Sequence, residues 1–215
     1  MTILIPLEQT FDLPPAGVHP AVCYRIIDLG TQPTQYGPKR RIMFSWELLD
    51  ENNSATGNPL TISRSYNLSS ERKSALRADI EGWLGRVLTK TDFGRFDLGS
   101  LLGMACTLVV KHEQKSDGRV YANVVSIMQP AKGTSPRLSP FHAAVALSLD
   151  DRPFDHAGFD ALPERLQEVI RQSPEYRAIT QPQQTLPAST AERFRTVLGQ
   201  PLSEGPALPD DDIPF

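Results

Sequence analysis

The stretch RRIMFSWELL, residues 40–49, alternates between apolar side chains and a mixed set of polar and apolar ones. Successive side chains of a β-strand point to opposite faces, so this period of two predicts a strand with one fully apolar face. That face carries Ile42, Phe44, Trp46 and Leu48. We therefore predict that these four side chains lie in the core of a β-sheet.

Four further segments have the composition of strands, and one has the periodicity of a helix. The strand candidates are residues 17–29, 60–66, 105–113 and 119–128. Apolar residues recur at helical spacing within 69–85, where Ser69 or Ser70 is a candidate cap and Gly85 a candidate stop. Most of the connections are too short for parallel crossovers. The resulting order, β-β-β-α-β-β, predicts an all-β fold with accessory helices, namely a five-stranded OB-fold barrel.

The second half of the chain has a different composition. Twelve of the 19 prolines lie from Pro130 onward, and residues 136–215 carry 7 Lys/Arg against 12 Asp/Glu. Proline is incompatible with long helices and central strands, so we predict a linker with short helices. Helical patterns at 161–172 and 189–199 would pack on the barrel or form only on binding a partner. The predicted domains are an arm at 1–15, the OB-fold at 16–130, the linker at 131–209 and an acidic tip at 210–215.

No motif in the sequence predicts an enzyme or a bound cofactor. The four histidines fall in separate segments, and no metal-binding or phosphate-binding spacing is present. Cys23 and Cys106 lie in strand-like runs, which predicts small buried side chains. We expect neither a signal peptide nor a membrane span, and we predict a cytoplasmic protein.

Basic and aromatic residues cluster on the predicted strands and on two of the loops. Cations that follow phosphates and aromatic faces that stack on unpaired bases are what a single-strand binder needs. The loops after the first and fourth strands, the latter with an Asp-Gly hairpin signature, are where OB-folds commonly bind nucleic acid. The candidate DNA-binding residues are Arg25, Tyr36, Lys39, Arg40, Arg41, Arg64, Tyr66, Lys111, Lys115, Arg119 and Tyr121. The alternative is that the cations form a solvated strand edge and the tyrosines fill the barrel.

The last six residues read DDDIPF, that is Asp210, Asp211, Asp212, Ile213, Pro214 and Phe215. This segment resembles the acidic tip of bacterial single-stranded DNA-binding proteins, which join an OB-fold to such a tip through a linker. The stretch of the second strand and the helix resemble a divergent version carried by a phage or mobile element, whereas the linker, with its helix-capable segments, departs from the family pattern. The resemblance implies that the tip docks on replication and repair enzymes. The Phe215 ring and its carboxylate suit an apolar pocket with a basic side chain, and the three aspartates suit a basic rim.

We therefore expect sequence-independent binding and protection of single-stranded DNA in replication, recombination and repair. The expected partners are single-stranded DNA and the proteins that bind the tip, and a homo-oligomer is left open. Two alternatives remain. The chain is an adaptor that engages host replication enzymes through the tip, or it is a strand-annealing or recombination mediator.

Overall fold

The computed structural model describes residues 12–69 and 71–180 of the chain. Met1–Ile179 clusters as one compact unit and Thr180–Phe215 as another. The described part is mostly β. Its six strands are β1 (Gly17–Gln32), β2 (Lys39–Asn52), β3 (Pro59–Asn67), β4 (Ala105–Gln114), β5 (Val120–Met128) and β6 (Val145–Leu147).

The strands form one sheet in the order β3-β2-β1-β4-β5, and all neighbours along this path are antiparallel. The short β6 lies off the path and pairs in parallel with β1 at Arg25 to Ile27. β3 and β5 end the order without pairing with each other, so the sheet is open rather than a closed barrel. The prediction of a mainly β fold with accessory helices is confirmed, and the helix between the third and fourth strands is present.

The first core lies on the face of β2 that the period of two predicted. Ile42, Phe44, Trp46 and Leu48 are all buried there, Trp46 completely. Burying a side chain of this size contributes about 2–3 kcal/mol relative to leaving it exposed, so this face determines how the strand is oriented.

Helix α1 (Ala75–Leu84) covers this core and contacts both β3 and β5. Its cap is Ser74, which accepts a hydrogen bond from the Arg77 amide, instead of the predicted Ser69 or Ser70. The predicted stop is confirmed, because Gly85 ends the helix with φ 64°, a left-handed conformation that glycine adopts without strain. On the inner side, the Trp83 indole donates to the Ala105 carbonyl at 2.8 Å.

Four further short helices complete the described residues: α2 (Lys90–Gly94), α3 (His156–Asp160), α4 (Glu164–Arg171) and α5 (Pro174–Thr180). A 3₁₀ turn at Leu98–Leu101 precedes β4. None of the helices in the described ranges has the length and apolarity required to cross a membrane.

A second core lies on the opposite face of β1 and β2, the outer face. Ile27, Leu29 and Met43 are buried there by residues of β6 and of the helices α3 and α4, notably Phe159 and Ile170. Gln32 on β1 donates to the Val169 carbonyl of α4 at 2.8 Å. The sequence pattern had assigned residues 131–209 to a linker. Of that range, the part up to Ile179 belongs to the same compact unit as the sheet.

Polar contacts tie α5 to the end of β1. The Glu175 carboxylate accepts hydrogen bonds from the Thr31 amide at 2.8 Å and from the Thr31 hydroxyl at 2.5 Å.

The helical pattern predicted at 161–172 corresponds to α4, which packs on the sheet. The pattern at 189–199 lies outside the described residues, as do the first eleven residues of the predicted arm.

Candidate nucleic-acid interface

The outer face of the sheet is open where β3 borders it. Cross-strand pairs place Arg25 of β1 opposite Ser45 of β2, and Ser45 opposite Ser63 of β3. The two serine hydroxyls are hydrogen-bonded at 2.8 Å. The outer side of β3 is a row of polar residues, all exposed or half-buried: Thr61, Ser63, Ser65 and Asn67. These hydroxyl and amide groups have the chemistry of phosphate and sugar contacts.

Two arginines on this face have no counter-charge in the part of the chain that the structure describes. Arg25 and Arg41 are half-buried, and the Nε atom of each is buried without a hydrogen-bond partner. Neither arginine takes part in an ion pair within the described ranges. The Arg25 guanidinium lies over the Tyr24 ring, 5.1 Å from its centroid. A partly desolvated cation without a partner is costly, so both positions favour an incoming anion.

Arg40, the neighbour of Arg41, is in a different state. Its Nη2 atom lies 2.5 Å from the buried Asp28 carboxylate and 2.7 Å from that of Asp150. The hydrogen bond to Asp28 raises the pKa of Arg40 above its ordinary value, although partial burial opposes this. The charge of Arg40 is therefore used inside the protein, and we leave Arg40 out of the interface.

The turn between β1 and β2 carries an exposed aromatic residue and an exposed cation. Tyr36 is 80% exposed, and Lys39 at the start of β2 is exposed. The Thr34 and Gly37 amides and carbonyls bond to each other across the turn at 3.2 and 3.0 Å, which fixes its shape. A freely accessible ring beside a cation is the combination that the sequence predicted for this loop.

The hairpin between β4 and β5 carries the second group of cations. Lys111, Lys115 and Arg119 are exposed, and the Lys115 ammonium lies 4.4 Å from the centroid of the half-buried Tyr121 ring. The predicted Asp-Gly hairpin is confirmed. Gly118 has φ 78° and donates to the Lys115 carbonyl at 2.9 Å.

The two groups lie at opposite ends of β1. The β1–β2 turn follows Gln32 at the carboxyl end of β1. Gly17, at the amino end, pairs with Val110, and the β4–β5 hairpin continues beyond that pair. The outer face with Arg25 lies between them. A ligand that contacted both loops would therefore be an extended chain crossing the sheet.

Arg64 and Tyr66 lie on the inner side of β3. Tyr66 is 4% exposed, its ring packs edge-on against Phe44, and its hydroxyl donates to Asp79 of α1 at 2.8 Å. Arg64 lies over the Tyr66 ring, with its Nη1 atom 2.8 Å from the Asp79 carboxylate but poorly aligned for a hydrogen bond. No base can stack on a ring in this position, so we leave both residues out of the interface.

Burial controls the ionisation of this cluster. Burial is the largest effect on Tyr66 and raises its pKa, and the Asp79 carboxylate raises it further. Burial also raises the pKa of Asp79, against the opposing influence of the Tyr66 hydroxyl and the Arg64 charge. The cluster thus joins α1 to β3 as part of the first core.

Sequence reasoning missed a contact between β2 and the segment that follows β5. Glu47 on β2 is 1% exposed. Its carboxylate accepts hydrogen bonds from the backbone amides of Phe141 at 2.8 Å and His142 at 2.5 Å. No local pattern marks Phe141, because its partner is 94 residues away in the chain.

One group of possible metal ligands occurs within the described ranges. The ligand atoms of His19, Asp50 and Glu51 lie within 4.8 Å of one another. Both ring nitrogens of His19 already have protein partners, the Asp50 carboxylate at 3.2 Å and the Pro15 carbonyl at 3.0 Å. These contacts tie β1 to the end of β2, and we propose no metal site there.

Comparison with known proteins identifies no family. No protein-family model matches the chain, and no curated protein matches it significantly. Evidence for a function therefore comes from the geometry of the outer face. The predicted tip at Asp210–Phe215 lies outside the described residues.

Proposed function

We propose that the protein binds single-stranded DNA along the uncovered part of the outer face, beside β3, of an OB-fold whose seam between β3 and β5 is open. The order β3-β2-β1-β4-β5, with α1 between β3 and β4 in the chain, supports this assignment. OB-folds bind oligonucleotides on the face of the second and third strands and in the loops beside it. The observation that carries the proposal is that Arg25 and Arg41 on that face have buried Nε atoms without a hydrogen-bond partner and no ion pair with another described residue.

The geometry favours a single strand over a duplex. Half-buried arginines reach phosphates that lie against the sheet, and the exposed Tyr36 ring offers a face to an unpaired base. Stacking on aromatic side chains contributes about 1–3 kcal/mol per base and depends little on sequence. Bases in a duplex are already stacked and paired, so they are not available to this ring. We expect slight sequence preference and affinity that decreases with salt.

A titration of labelled oligonucleotides tests the proposal. Single-stranded and duplex DNA of equal length are compared with the wild-type protein and with a double variant, Arg25→Gln and Arg41→Gln. The matched control is Arg72→Gln and Arg86→Gln, which removes two exposed cations near α1 and leaves the outer face intact. Circular dichroism spectra of both variants verify folding.

We expect the wild type to prefer the single strand and the Arg25/Arg41 variant to lose at least ten-fold in affinity. The salt dependence of log K is expected to weaken by about 0.7 for each lost phosphate contact. The control is expected to change little. Equal affinity of the wild type for single strand and duplex would overturn the proposal and favour the adaptor function. An assay of complementary-strand pairing separates a mediator from a simple coating protein.

Recruitment of replication and repair proteins by Asp210–Phe215 stays a prediction. It depends on the resemblance of DDDIPF to the acidic tip of bacterial single-stranded DNA-binding proteins.

A further inference from the structure

The segment at residues 140–143 is fastened to the outer face of the sheet by one buried carboxylate. Besides the two backbone amides, the His142 Nδ1 atom lies 2.6 Å from the Glu47 Oε1 atom. Three nitrogen partners on one carboxylate fix the backbone at Phe141 and His142. The conformation of these two residues is therefore set by the sheet.

The Phe141 ring stays exposed despite this anchoring. Phe141 is 64% exposed, and its ring meets the His142 ring edge-on, with centroids 5.3 Å apart and planes at 82°. An aromatic ring in water forgoes the free energy of burial. Glu47 holds the backbone at this point, so the exposed ring projects from a fixed part of the chain.

A continuous series of ring contacts joins Phe141 to the unpaired Arg25. The His142 ring lies 5.1 Å from the Tyr24 ring, and the Arg25 guanidinium also lies 5.1 Å from the Tyr24 centroid. The register of β1 against β2 shifts between Cys23 and Arg25. Such a bulge redirects side chains, and here it allows the neighbours Tyr24 and Arg25 to join one cluster.

We infer that Phe141 is a base-stacking residue, with Arg25 binding the adjacent phosphate and Glu47 acting as the positioning residue. This inference rests on the proposed function and specifies its ligand as a base next to a phosphate in an unpaired strand. A ring held in place before binding adds affinity because less freedom is lost when the base stacks. The sequence pattern placed Phe141 in the linker, so the proposal adds a residue to the interface.

The experiment compares Phe141→Ala with Val87→Ala, which removes another exposed apolar side chain, at 79% exposure, just beyond α1. Binding is measured with an ordinary single-stranded oligonucleotide and with one that carries abasic sites, which keeps the phosphates. We expect Phe141→Ala to lose on the order of ten-fold in affinity for the ordinary strand and almost nothing for the abasic strand. The Val87→Ala control is expected to bind both strands as the wild type does.

A fluorescent variant gives a second readout. Trp46 and Trp83 are buried. In a Phe141→Trp variant, any change in tryptophan emission on adding DNA is therefore assigned to position 141. Stacking is expected to quench this emission, whereas Val87→Trp is expected to show no quenching. Glu47→Gln tests the positioning role of Glu47. The loss of binding free energy in the double variant Glu47→Gln and Phe141→Ala is expected to be smaller than the sum of the losses in the two single variants.

The outcomes separate this inference from the proposed function. If the wild type prefers single strands but Phe141→Ala binds unchanged and position 141 is not quenched, stacking by Phe141 is refuted while the function stands. An equal loss on ordinary and abasic strands also refutes stacking. Absence of any single-strand preference in the wild type refutes both. Should Glu47→Gln fail to fold, the two Phe141 variants decide the question alone.

Discussion

At the scale of single residues, the arginines of the described part show how context decides what a charge does. Arg40, Arg64 and Arg77 are paired with carboxylates at 2.5, 2.8 and 3.0 Å. Arg25 on β1 and Arg41 on β2 form no ion pair with another described residue, and the Nε atom of each is buried without a hydrogen-bond partner. From the sequence, Arg40 and Arg64 were predicted to bind DNA together with Arg25 and Arg41. The difference arises because Asp28, Asp79 and Glu81 lie close to the first three in space.

Tyr66 makes the same point for aromatic residues. The sequence allowed two interpretations of Tyr66: its ring stacks on a base, or its ring fills the core of the barrel. The Tyr66 ring lies in the first core, so it is a core side chain. Tyr36, on a turn, is exposed, and only such a ring is accessible to a base.

The two cysteines give a prediction about pH. Burial raises the pKa of Cys23 to about 12, and burial raises that of Cys106 well above its ordinary value. Above about pH 9 the unfolded chain loses thiol protons that the folded chain keeps, so the free energy of unfolding decreases as the pH rises. The stabilisation is complete below that pH. We expect a decrease of about 1.5 kcal/mol for both thiols between pH 8 and 9.5, measured by urea unfolding.

The control for this prediction is a Cys23→Ala variant, whose pH dependence is expected to be about half as steep. A thiol reagent supplied at pH 8 is expected to label the protein only when it unfolds, because both side chains are buried. Rapid labelling of the folded protein would contradict the burial of these groups.

At the scale of elements, β2 differs from the simple prediction of one buried face. Met43, Ser45 and Glu47, on the mixed face, are buried as well. Met43 lies under the second core, and Glu47 is covered by the segment at residues 140–143. The sequence alternates because Ser45 and Glu47 on this face are polar. The alternation predicts one buried face, whereas both faces of β2 are buried at these positions.

The contact between β1 and α5 gives a prediction that can be measured by substitution. Gly30 has φ 68°, and a Cβ atom there would lie 2.4 Å from the Ser173 Cβ atom. Gly57 has φ 70° and nothing within 4 Å of the same position. We expect Gly57→Ala to lower the free energy of unfolding by about 1–2 kcal/mol, the cost of a left-handed residue. Gly30→Ala is expected to cost about 1–3 kcal/mol more, because Ser173 must move.

Urea unfolding of the two variants measures the difference. The φ angles of the two glycines match, so the backbone cost is the same, and the excess destabilisation at Gly30 reports the packing of Ser173, the residue before α5, against β1. Equal destabilisation at the two positions would mean that this packing contributes nothing.

At the scale of the whole molecule, the described part has two cores on the two faces of one sheet. The second core needs residues from Leu147 to Ile170, which lie beyond the predicted end of the OB-fold at residue 130. We therefore expect the sheet and the residues that follow it to unfold together, since among the described residues Ile27, Leu29 and Met43 are packed in one core with those later residues.

Truncation tests this organisation. A chain ending at Pro130 exposes the apolar outer face, so we expect it to aggregate or to bind a hydrophobic dye and melt without a sharp transition. A chain ending at Thr180 keeps both cores and is expected to melt within a few degrees of the full chain. Near-ultraviolet circular dichroism during heating measures both. A sharp, unshifted transition in the shorter chain would show that the second core is dispensable.

The sequence by itself determined the parts of the fold that depend on local patterns. The period of two identified the inner face of β2, the helical period and Gly85 identified α1 and its end, and Asp117-Gly118 identified the β4–β5 hairpin. Each of these signals lies within a few residues, where the geometry of a strand, helix or turn relates spacing directly to side-chain direction.

Only the tertiary structure decided which arginines lack a counter-charge, that Tyr66 is buried, that Glu47 holds Phe141 and that the chain beyond β5 closes a second core. These features join residues far apart in the chain, such as Glu47 and Phe141. No local periodicity records which distant segment covers a face. The physical reason is that packing and charge pairing depend on distances in space, which are set only when the whole chain is folded.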